Sequence, residues 1–366
     1  MGLDLSVAFA IGLGLGGGKT IVTVSAGGGM WTAFERMSVT ASFQDAARSF
    51  QLKVAAEGGG SATAWTFKAG TTLDILSNGD LLLRGYVDRY QPRLGEHDTA
   101  EVMISGRSKS QDFIDSSAVH DTNQFKNMDP QQIGAALDKF GVGIATDQQL
   151  DKVPIYRITP GETAFRCVEK LCREQGVFVV GQADGSIKLT KAGAGRNSAL
   201  IEGQNIKWIE ADHNWSGRHS HVIVRGQRPV GHGADNLQVE GLAQDEELGR
   251  YRPVIVIHDG DTDSNRAKKR AATRRDREAG NALKADVIVQ GHHDDSGAVW
   301  EPGNLVFVDS DFADIHQDMA IESASYSQDR KQGTLTELCL VDPRALGGKG
   351  NKGGSAGAAW ASDAGD

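Results

Sequence analysis

Hydrophobic and polar residues alternate along the first third of the chain. Met37, Val39 and Ala41 are separated by serine and threonine, a period of two that is typical of a half-buried strand. The same pattern predicts strands at residues 20–24, 33–43, 50–54, 81–87 and 100–104. Several short strands at this spacing favour a small β-barrel or β-sandwich.

A helical pattern begins after about residue 120. Asp129 and Pro130 predict the start of a helix, and Gln132 occupies the capping-box position that follows such a start. We expect this helix to end at Gly141. Its predicted buried stripe consists of Ile133, Ala136, Leu137 and Phe140.

A second helix and a hairpin complete this middle part of the chain. Residues 159–162 repeat the start signal, and Gly176 marks the predicted stop. The apolar stripe of this helix consists of Phe165, Val168, Leu171 and Cys172. A hairpin is predicted over residues 177–190, with its turn at 183–185. The two helices and the hairpin together predict a compact α+β module.

Strand patterns return after residue 200, interrupted by one long basic helix from about Thr262 to Leu283. The further strands are predicted at residues 206–209, 221–225, 254–258, 285–290, 305–308, 319–323 and 334–341. The chain is therefore predicted to be mainly β, with two small β-barrel domains on either side of the α+β module. The expected boundaries are 1–118, 119–197 and 198–346, followed by a glycine-rich flexible tail at 347–366.

Composition and charge limit the function classes. The chain has 366 residues, with 39% hydrophobic and 24% charged residues, which is typical of a globular protein and not of a membrane protein. A net charge of -9 argues against a dedicated duplex-DNA binder, and we expect no specific nucleic acid among its partners. The apolar start lacks a basic leader and is too short to span a bilayer, so no membrane anchor is predicted.

The segment GGGKT at residues 16–20 resembles part of a phosphate-binding loop. That loop requires a glycine five residues before Gly18, but the residue there is Leu13. A strand also follows the glycines where a helix is required. We therefore interpret the segment as a glycine-rich entry into the first strand and predict no nucleotide cofactor.

Two histidine-rich loops are the candidates for metal chemistry. The first is the run from His292 to Asp295, and the second contains His213, His219 and His221. Neither has the spacing of a known metal motif, and the three cysteines do not supply one. A metal-dependent hydrolase using these loops remains the alternative hypothesis. The absence of nucleophile and acid–base motifs favours a protein that is not an enzyme, with no metal and no cofactor.

The long helix is strongly basic, with seven Lys or Arg residues between Arg266 and Arg277. Such a helix can lie along nucleic acid. In an otherwise acidic chain, a solvated face or a contact with an acidic surface of a neighbouring subunit is favoured. Ala267, Ala271 and Ala279 would let the helix pack closely on a sheet.

An ordered series of short blocks resembles the Mu-like phage baseplate hub proteins. The clearest blocks are LRGYVD at residues 83–88 and VMISGRSKSQDFIDSSA at 102–118. We interpret Gly106 as the end of a strand and Ser108 or Ser110 as the cap of the next turn. The later blocks follow in order at 159–177, 184–187, 221–227, 249–253, 299–304 and 333–338. The resemblance covers roughly residues 30–345.

The resemblance implies a structural part of a contractile tail, similar in fold to the base of type VI secretion spikes. It implies two similar barrels in each chain and a homotrimeric ring that adapts a sixfold tail tube to a threefold central spike. The implied partners are the tube protein, the spike protein and other baseplate proteins, in a virion assembled in the host bacterial cytoplasm. We predict subunit or partner contacts at Arg84, Tyr86, Asp88, Arg107, Arg270, Arg274, Arg275 and Trp300.

Overall fold

A computed structural model describes residues 20–32, 34–56, 67–94, 100–227, 239–261 and 263–349. The glycine-rich start and the tail from residue 350 onward lie outside the described residues, so those two predictions stay predictions. The first seven strands are β1 (Val22–Ala26), β2 (Gly29–Trp31), β3 (Arg36–Ser42), β4 (Ser49–Ala56), β5 (Thr72–Ser77), β6 (Asp80–Leu94) and β7 (Ala100–Ser108).

The middle of the chain alternates short helices and strands. Its elements are α1 (Gln111–Asp115), β8 (Gln124–Met128), α2 (Pro130–Leu137), β9 (Ile144–Thr146), β10 (Val153–Arg157), α3 (Ala164–Glu174), β11 (Phe178–Gly181), β12 (Ile187–Thr190) and β13 (Leu200–Ile201).

The last part of the chain is again mostly β. Its elements are β14 (Ile206–His213), β15 (His221–Gln227), β16 (Val239–Gln244), β17 (Pro253–Asp261), α4 (Ser264–Gly280), β18 (Leu283–Gln290), β19 (Leu305–Ser310), β20 (Ile315–Asp329) and β21 (Gly333–Val341). Short 3₁₀ turns lie at Glu246–Leu248 and Pro343–Leu346. The predicted mainly-β class with an α+β insert is confirmed.

One large sheet joins the two β parts of the chain. Its strand order is β14-β18-β21-β20-β3-β4-β7-β6-β5-β1-β2, with β19 also pairing β20 and β13 pairing β19. The two parts meet where β3 and β20 pair antiparallel, with Val39 opposite Tyr326. Both of these side chains are buried in the largest hydrophobic core. Within the described residues the pairings form an open path and do not close into two separate barrels.

The segment between β7 and β13 has its own core, built by α2 and α3 against short strands. The predicted capping box is confirmed. The Asp129 carboxylate accepts a hydrogen bond from the backbone N–H of Gln132, and the side-chain oxygen of Gln132 accepts one from the backbone N–H of Asp129. Ile133 and Leu137 are buried as predicted, but α2 already ends at Leu137, so Ala136 and Phe140 are exposed. Gly134 replaces them on the buried face, where an added Cβ atom would lie 2.8 Å from the Ile144 side chain of β9 and 3.2 Å from Val168 of α3.

The second predicted helix begins later than its first start signal. Thr163, not Thr159, is the N-cap, and its hydroxyl accepts a hydrogen bond from the backbone N–H of Arg166. The carboxylate of Glu162 accepts one from the backbone of Thr159, so residues 159–162 form a turn before the helix. Val168 is buried as predicted, whereas Phe165 is half-buried at the edge of this core.

Two small sheets, β10-β8 and β11-β12-β9, belong to this middle segment. A separate sheet consists of β16, β15 and β17 in that order, with α4 packed across one face. Ala267 and Ala271 are buried there, which confirms the predicted close packing of small residues. The approach is so close that a Cβ atom added to Gly241 would lie 2.2 Å from the carbonyl carbon of Ala267. Glycine is therefore required at position 241.

Candidate assembly surfaces

Four of the predicted contact residues lie together on one surface, which we call the β6–β7 patch. Arg84, Tyr86 and Asp88 alternate along β6, so their side chains project from the same face of the strand. Tyr86 pairs with Arg107 of the neighbouring β7. Because the two strands are adjacent, residues 19 positions apart form one continuous patch.

Ion pairs fix the charged side chains of the β6–β7 patch. Arg84 donates two hydrogen bonds of 2.8 Å to the carboxylate of Asp74, and these hydrogen bonds raise the pKa of Arg84. Arg107 lies 2.6 Å from Asp115 and 3.4 Å from Asp88, and the contact with Asp115 raises the pKa of Arg107 most. The patch is thus partly exposed, rigid and nearly balanced in charge.

Two glycines, from the blocks at residues 83–88 and 102–118, let the paired strands β6 and β7 approach closely beside this patch. A Cβ atom at Gly85 would lie 2.0 Å from the carbonyl oxygen of Arg107, and one at Gly106 would lie 2.0 Å from that of Tyr86. Gly106 was expected to end its strand, but β7 continues to Ser108, because glycine here permits close contact and not a turn. Ser110 occupies the N-cap position of α1 without a side-chain capping bond.

The other predicted arginines lie on α4. Arg274 pairs with Glu278 one turn further along the helix at 2.9 Å, and Arg275 pairs with Asp276 at 2.6 Å. Arg270 contacts the ring of His258 in β17. The guanidinium of Arg275 also donates a hydrogen bond to the carbonyl oxygen of Gln244 at the end of β16, so Arg270 and Arg275 lie over opposite edges of the sheet. The sequence prediction that these arginines bind a partner stays a prediction.

Trp300 does not belong to either surface. Its side chain is 2% exposed and forms part of the largest core, where the hydroxyl of Tyr326 donates a hydrogen bond to its backbone carbonyl. The prediction that Trp300 offers a surface contact is therefore wrong. The indole is needed to fill the core beneath the 292–302 loop.

The polar side chains of the loop at 292–295 have structural partners. His292 is fully buried, with Nδ1 3.0 Å from the Ser77 hydroxyl and Nε2 3.1 Å from the Ser327 carbonyl oxygen. Burial lowers the pKa of His292 to about 4. His293 contacts Asp80 at 3.0 Å.

Asp294 closes the turn that follows the two histidines. Its carboxylate accepts hydrogen bonds from Ser296, Asn197 and the backbone of Ser198. Burial acts to raise the pKa of Asp294, but these hydrogen bonds outweigh it and hold that pKa below its ordinary value. The carboxylate is thus engaged by the surrounding loops.

The histidine side chains of the second histidine-rich segment also lie apart, each with its own partner. His213 contacts the carbonyl oxygen of Ala313, and His219 contacts Glu278. The ring of His221 packs edge-to-face against the ring of Tyr251. Within the described ranges, no three His, Cys, Asp or Glu side chains come together as a group that could hold a metal ion. In the same part of the chain, no helix combines the length and the apolar character needed to cross a membrane.

Sequence reasoning missed one exposed apolar surface, on the sheet of β15, β16 and β17. Ile255 and Ile257 are exposed although they alternate with the inward-facing Val254 and Val256. The only sequence signal is that both alternating sets of β17 are apolar, which is unusual for a strand with one solvated face. We therefore predicted the strand there but not its uncovered side.

Three family models match three separate parts of the chain. Residues 21–108 match the Mu phage baseplate assembly protein GpP-like N-terminal domain, 110–191 match the second domain of baseplate hub protein gp44-like proteins, and 263–348 match the fourth domain of Mu phage baseplate assembly protein GpP. The chain is 25% identical to the baseplate hub protein gp44 of Escherichia phage Mu over 333 residues, which cover 87% of each protein.

Solved structures give the same result for the fold. The 43 kDa tail protein of prophage MuSo2 from Shewanella oneidensis is 25% identical, with a TM-score of 0.79 over 89% of this chain and 99% of that one. The E. coli c3393 protein, a component of the type VI secretion system, shares the fold at 10% identity, with a TM-score of 0.55 over 87% of this chain and 76% of that one.

Proposed function

Because the chain belongs to the Mu-like phage baseplate hub proteins, we propose that it forms a trimeric ring that adapts the sixfold tail tube to the threefold central spike. The observation that carries the proposal is the match of three successive baseplate family models along one chain. The family consists of structural tail proteins, so the chain is a structural component of the baseplate hub and not an enzyme.

Symmetry explains how the proposed ring would join a sixfold tube to a threefold spike. A chain with two β parts, placed three times around an axis, presents six β units to a sixfold tube and three whole chains to a threefold spike. The shared sheet supports this arrangement, because the β3 and β20 pairing holds the two β parts of a chain in a fixed relation. The division into domains at 1–118, 119–197 and 198–346 belongs to the same proposal.

The proposed partners are further copies of the chain, the tube protein, the spike protein and other baseplate proteins, in a virion tail assembled in the host cytoplasm. The β6–β7 patch suits a partner with a matching array of charges, since its ion pairs are exposed and fixed. The exposed basic side chains of α4 suit an acidic protein surface. Both surfaces therefore become candidate contacts of the assembled hub.

Sedimentation of the purified chain tests the proposal. We expect a species of three times the 39.0 kDa chain mass at micromolar concentration, and negative-stain images of three-lobed rings. A monomer at that concentration would contradict the ring. Elemental analysis addresses the alternative hydrolase, since stoichiometric zinc or manganese in protein purified without added metal would favour it.

A further inference from the structure

A cavity of about 250 Å³ lies between the end of β14, the C-terminal end of α4 and the turn that joins β19 to β20. We call it the Trp215 cavity. The polar and aromatic residues that line it and matter here are His213, Trp215, Arg218, Asp314, Gln317 and Arg344. Cavities that hold drug-sized ligands usually have about 300–1,000 Å³, so the Trp215 cavity suits a single long side chain.

The two arginines of the Trp215 cavity are already neutralised by carboxylates of the same chain. Arg218 is 3% exposed and donates hydrogen bonds to Asp245 at 3.0 Å and to Glu247 at 2.7 Å. Arg344 donates two hydrogen bonds of 3.0 Å to the carboxylate of Asp342, and its remaining nitrogen lies 3.9 Å from Glu247. An anion that entered the cavity would therefore compete with three carboxylates that already hold these arginines.

Asp314 adds a negative charge to the Trp215 cavity that the chain does not neutralise by direct contact. Its side chain is exposed and forms no hydrogen bond or ion pair with a described residue. It acts on His316 only through longer-range attraction, and His316 is itself paired with Asp309 at 2.7 Å. The backbone at Asp314 has a φ of +53°, which Asn adopts as readily as Asp. The turn therefore explains an Asp or an Asn at this position, but not the charge.

The indole of Trp215 supplies a surface that attracts cations. The ring is 47% exposed, and the Arg218 guanidinium already lies over it at 4.5 Å from the ring centroid. Among aromatic side chains, tryptophan attracts cations most strongly. His213 contacts the carbonyl oxygen of Ala313 at 2.9 Å, which holds the turn that carries Asp314 against the end of β14. The cavity thus combines a fixed carboxylate with an aromatic wall, and both are reachable from solvent.

We propose that the Trp215 cavity binds the guanidinium of an arginine side chain from a partner protein. The guanidinium would stack on the indole of Trp215 and donate hydrogen bonds to the Asp314 carboxylate. Gln317 directs its amide nitrogen to the sulfur of Met319 at 3.5 Å, so its oxygen can accept a further hydrogen bond. Arginine is favoured over lysine because its planar group fits both a ring face and a carboxylate. The inference does not depend on the proposed ring, since every residue of the cavity belongs to one chain.

Titration with Nα-acetyl-arginine amide tests the site, read by ¹⁹F NMR of the full chain labelled with 5-fluorotryptophan. Trp215→Phe identifies the Trp215 signal among those of the six tryptophans. We expect a saturable shift of that signal with a Kd on the order of 1 mM, because one side chain makes few contacts. Nα-acetyl-lysine amide should bind about threefold more weakly. Tighter binding of Nα-acetyl-glutamate amide than of the arginine probe, or no saturable shift by about 10 mM arginine probe, would overturn the inference.

A matched pair of variants provides the second test. Asp314→Asn removes the charge but keeps a residue suited to the left-handed backbone, so we expect the arginine probe to bind about tenfold more weakly. Asp311→Asn is the control, because Asp311 lies on the same turn, is fully exposed and does not line the cavity. Its affinity for the probe should equal that of the parent, and thermal melting shows that both variants are folded. Equal affinities in the two variants would overturn the inference, whatever the oligomeric state of the parent.

Discussion

The guanidinium of Arg48 forms an ion pair with the carboxylate of Glu301, although 253 residues separate them in the sequence. Arg48 is only 1% exposed and also donates hydrogen bonds to the carbonyl oxygens of Leu82 at 3.0 Å and Gly181 at 3.3 Å. One side chain thus connects both β parts of the chain with the α+β module. Such a link keeps the three parts in a fixed relation, as a rigid hub would require.

The first prediction concerns this link. Arg48→Met should lower the free energy of unfolding by about 3 kcal/mol, because it leaves a carboxylate and two carbonyl groups without their donor. The measurement is urea denaturation followed by tryptophan fluorescence. Arg36→Met is the matched control, since Arg36 is exposed and its pair with Asp329 spans 3.3 Å, so the expected loss is below about 1 kcal/mol. Equal losses would contradict the connecting role of Arg48.

The second prediction is a dependence of stability on acid. Burial lowers the pKa of His292 from 6.5 to about 4, so between those values the unfolded chain binds a proton that the folded chain does not. The contribution of this group to stability is complete above pH 6.5 and is lost as the pH falls toward 4. The expected loss in the free energy of unfolding is about 3 kcal/mol. In the His292→Gln variant, the midpoint of denaturation should change less with pH over this range. An unchanged dependence of the midpoint on pH would show that His292 is not the responsible group.

His316 supplies the control with the opposite sign. Asp309 raises the pKa of the exposed His316 by hydrogen bonding, so this contribution is complete below pH 6.5 and is lost as the pH rises through the folded pKa. The His316→Gln variant should therefore still lose stability as the pH falls from 6.5 toward 4. If His316→Gln and His292→Gln changed the pH profile in the same direction, the assignment to burial would be wrong.

Local patterns in the sequence predicted local structure well. The capping box of Asp129 and Gln132 forms as expected because both of its partners lie within one helical turn. Most of the longer strands were found by their period of two, with ends misplaced by a few residues. The pattern did not predict β2, β5, β8, β9, β10, β13 or β16. The helix start at Thr163 was missed because a turn with the same residue types lies immediately before it.

Distant pairings could not be predicted in this way. Nothing local indicates that β3 pairs with β20, or that Arg48 meets Glu301, because such partners are selected by the packing of the whole core. The same reason explains the error at Trp300, because no local pattern indicates that the distant residues of the large core bury its ring. The residues of the β6–β7 patch were named with a family resemblance and not from a local pattern, and their role as contacts stays a prediction.

The third prediction distinguishes two positions of α3. Val168 is fully buried against α2, whereas Phe165 lies at the edge of the same core. Val168→Asp should cost about 3 kcal/mol or more, because it places an unpaired charge in a closed site, and Phe165→Asp should cost clearly less, because its carboxylate can reach water. Thermal melting of both variants provides the measurement. A larger loss for Phe165→Asp would reverse our assignment of the buried face.

The last prediction concerns the packing of α4 on its sheet. Gly241→Ala should lower the free energy of unfolding by about 3 kcal/mol, because the added methyl group would lie 2.2 Å from the backbone of Ala267 and must push the helix away. Gly217→Ala is the control, since a methyl group added to Gly217 would have no heavy atom within 4 Å and the backbone there is not left-handed. Urea denaturation compares the two. Equal losses in the two variants would contradict the close packing of α4 against Gly241.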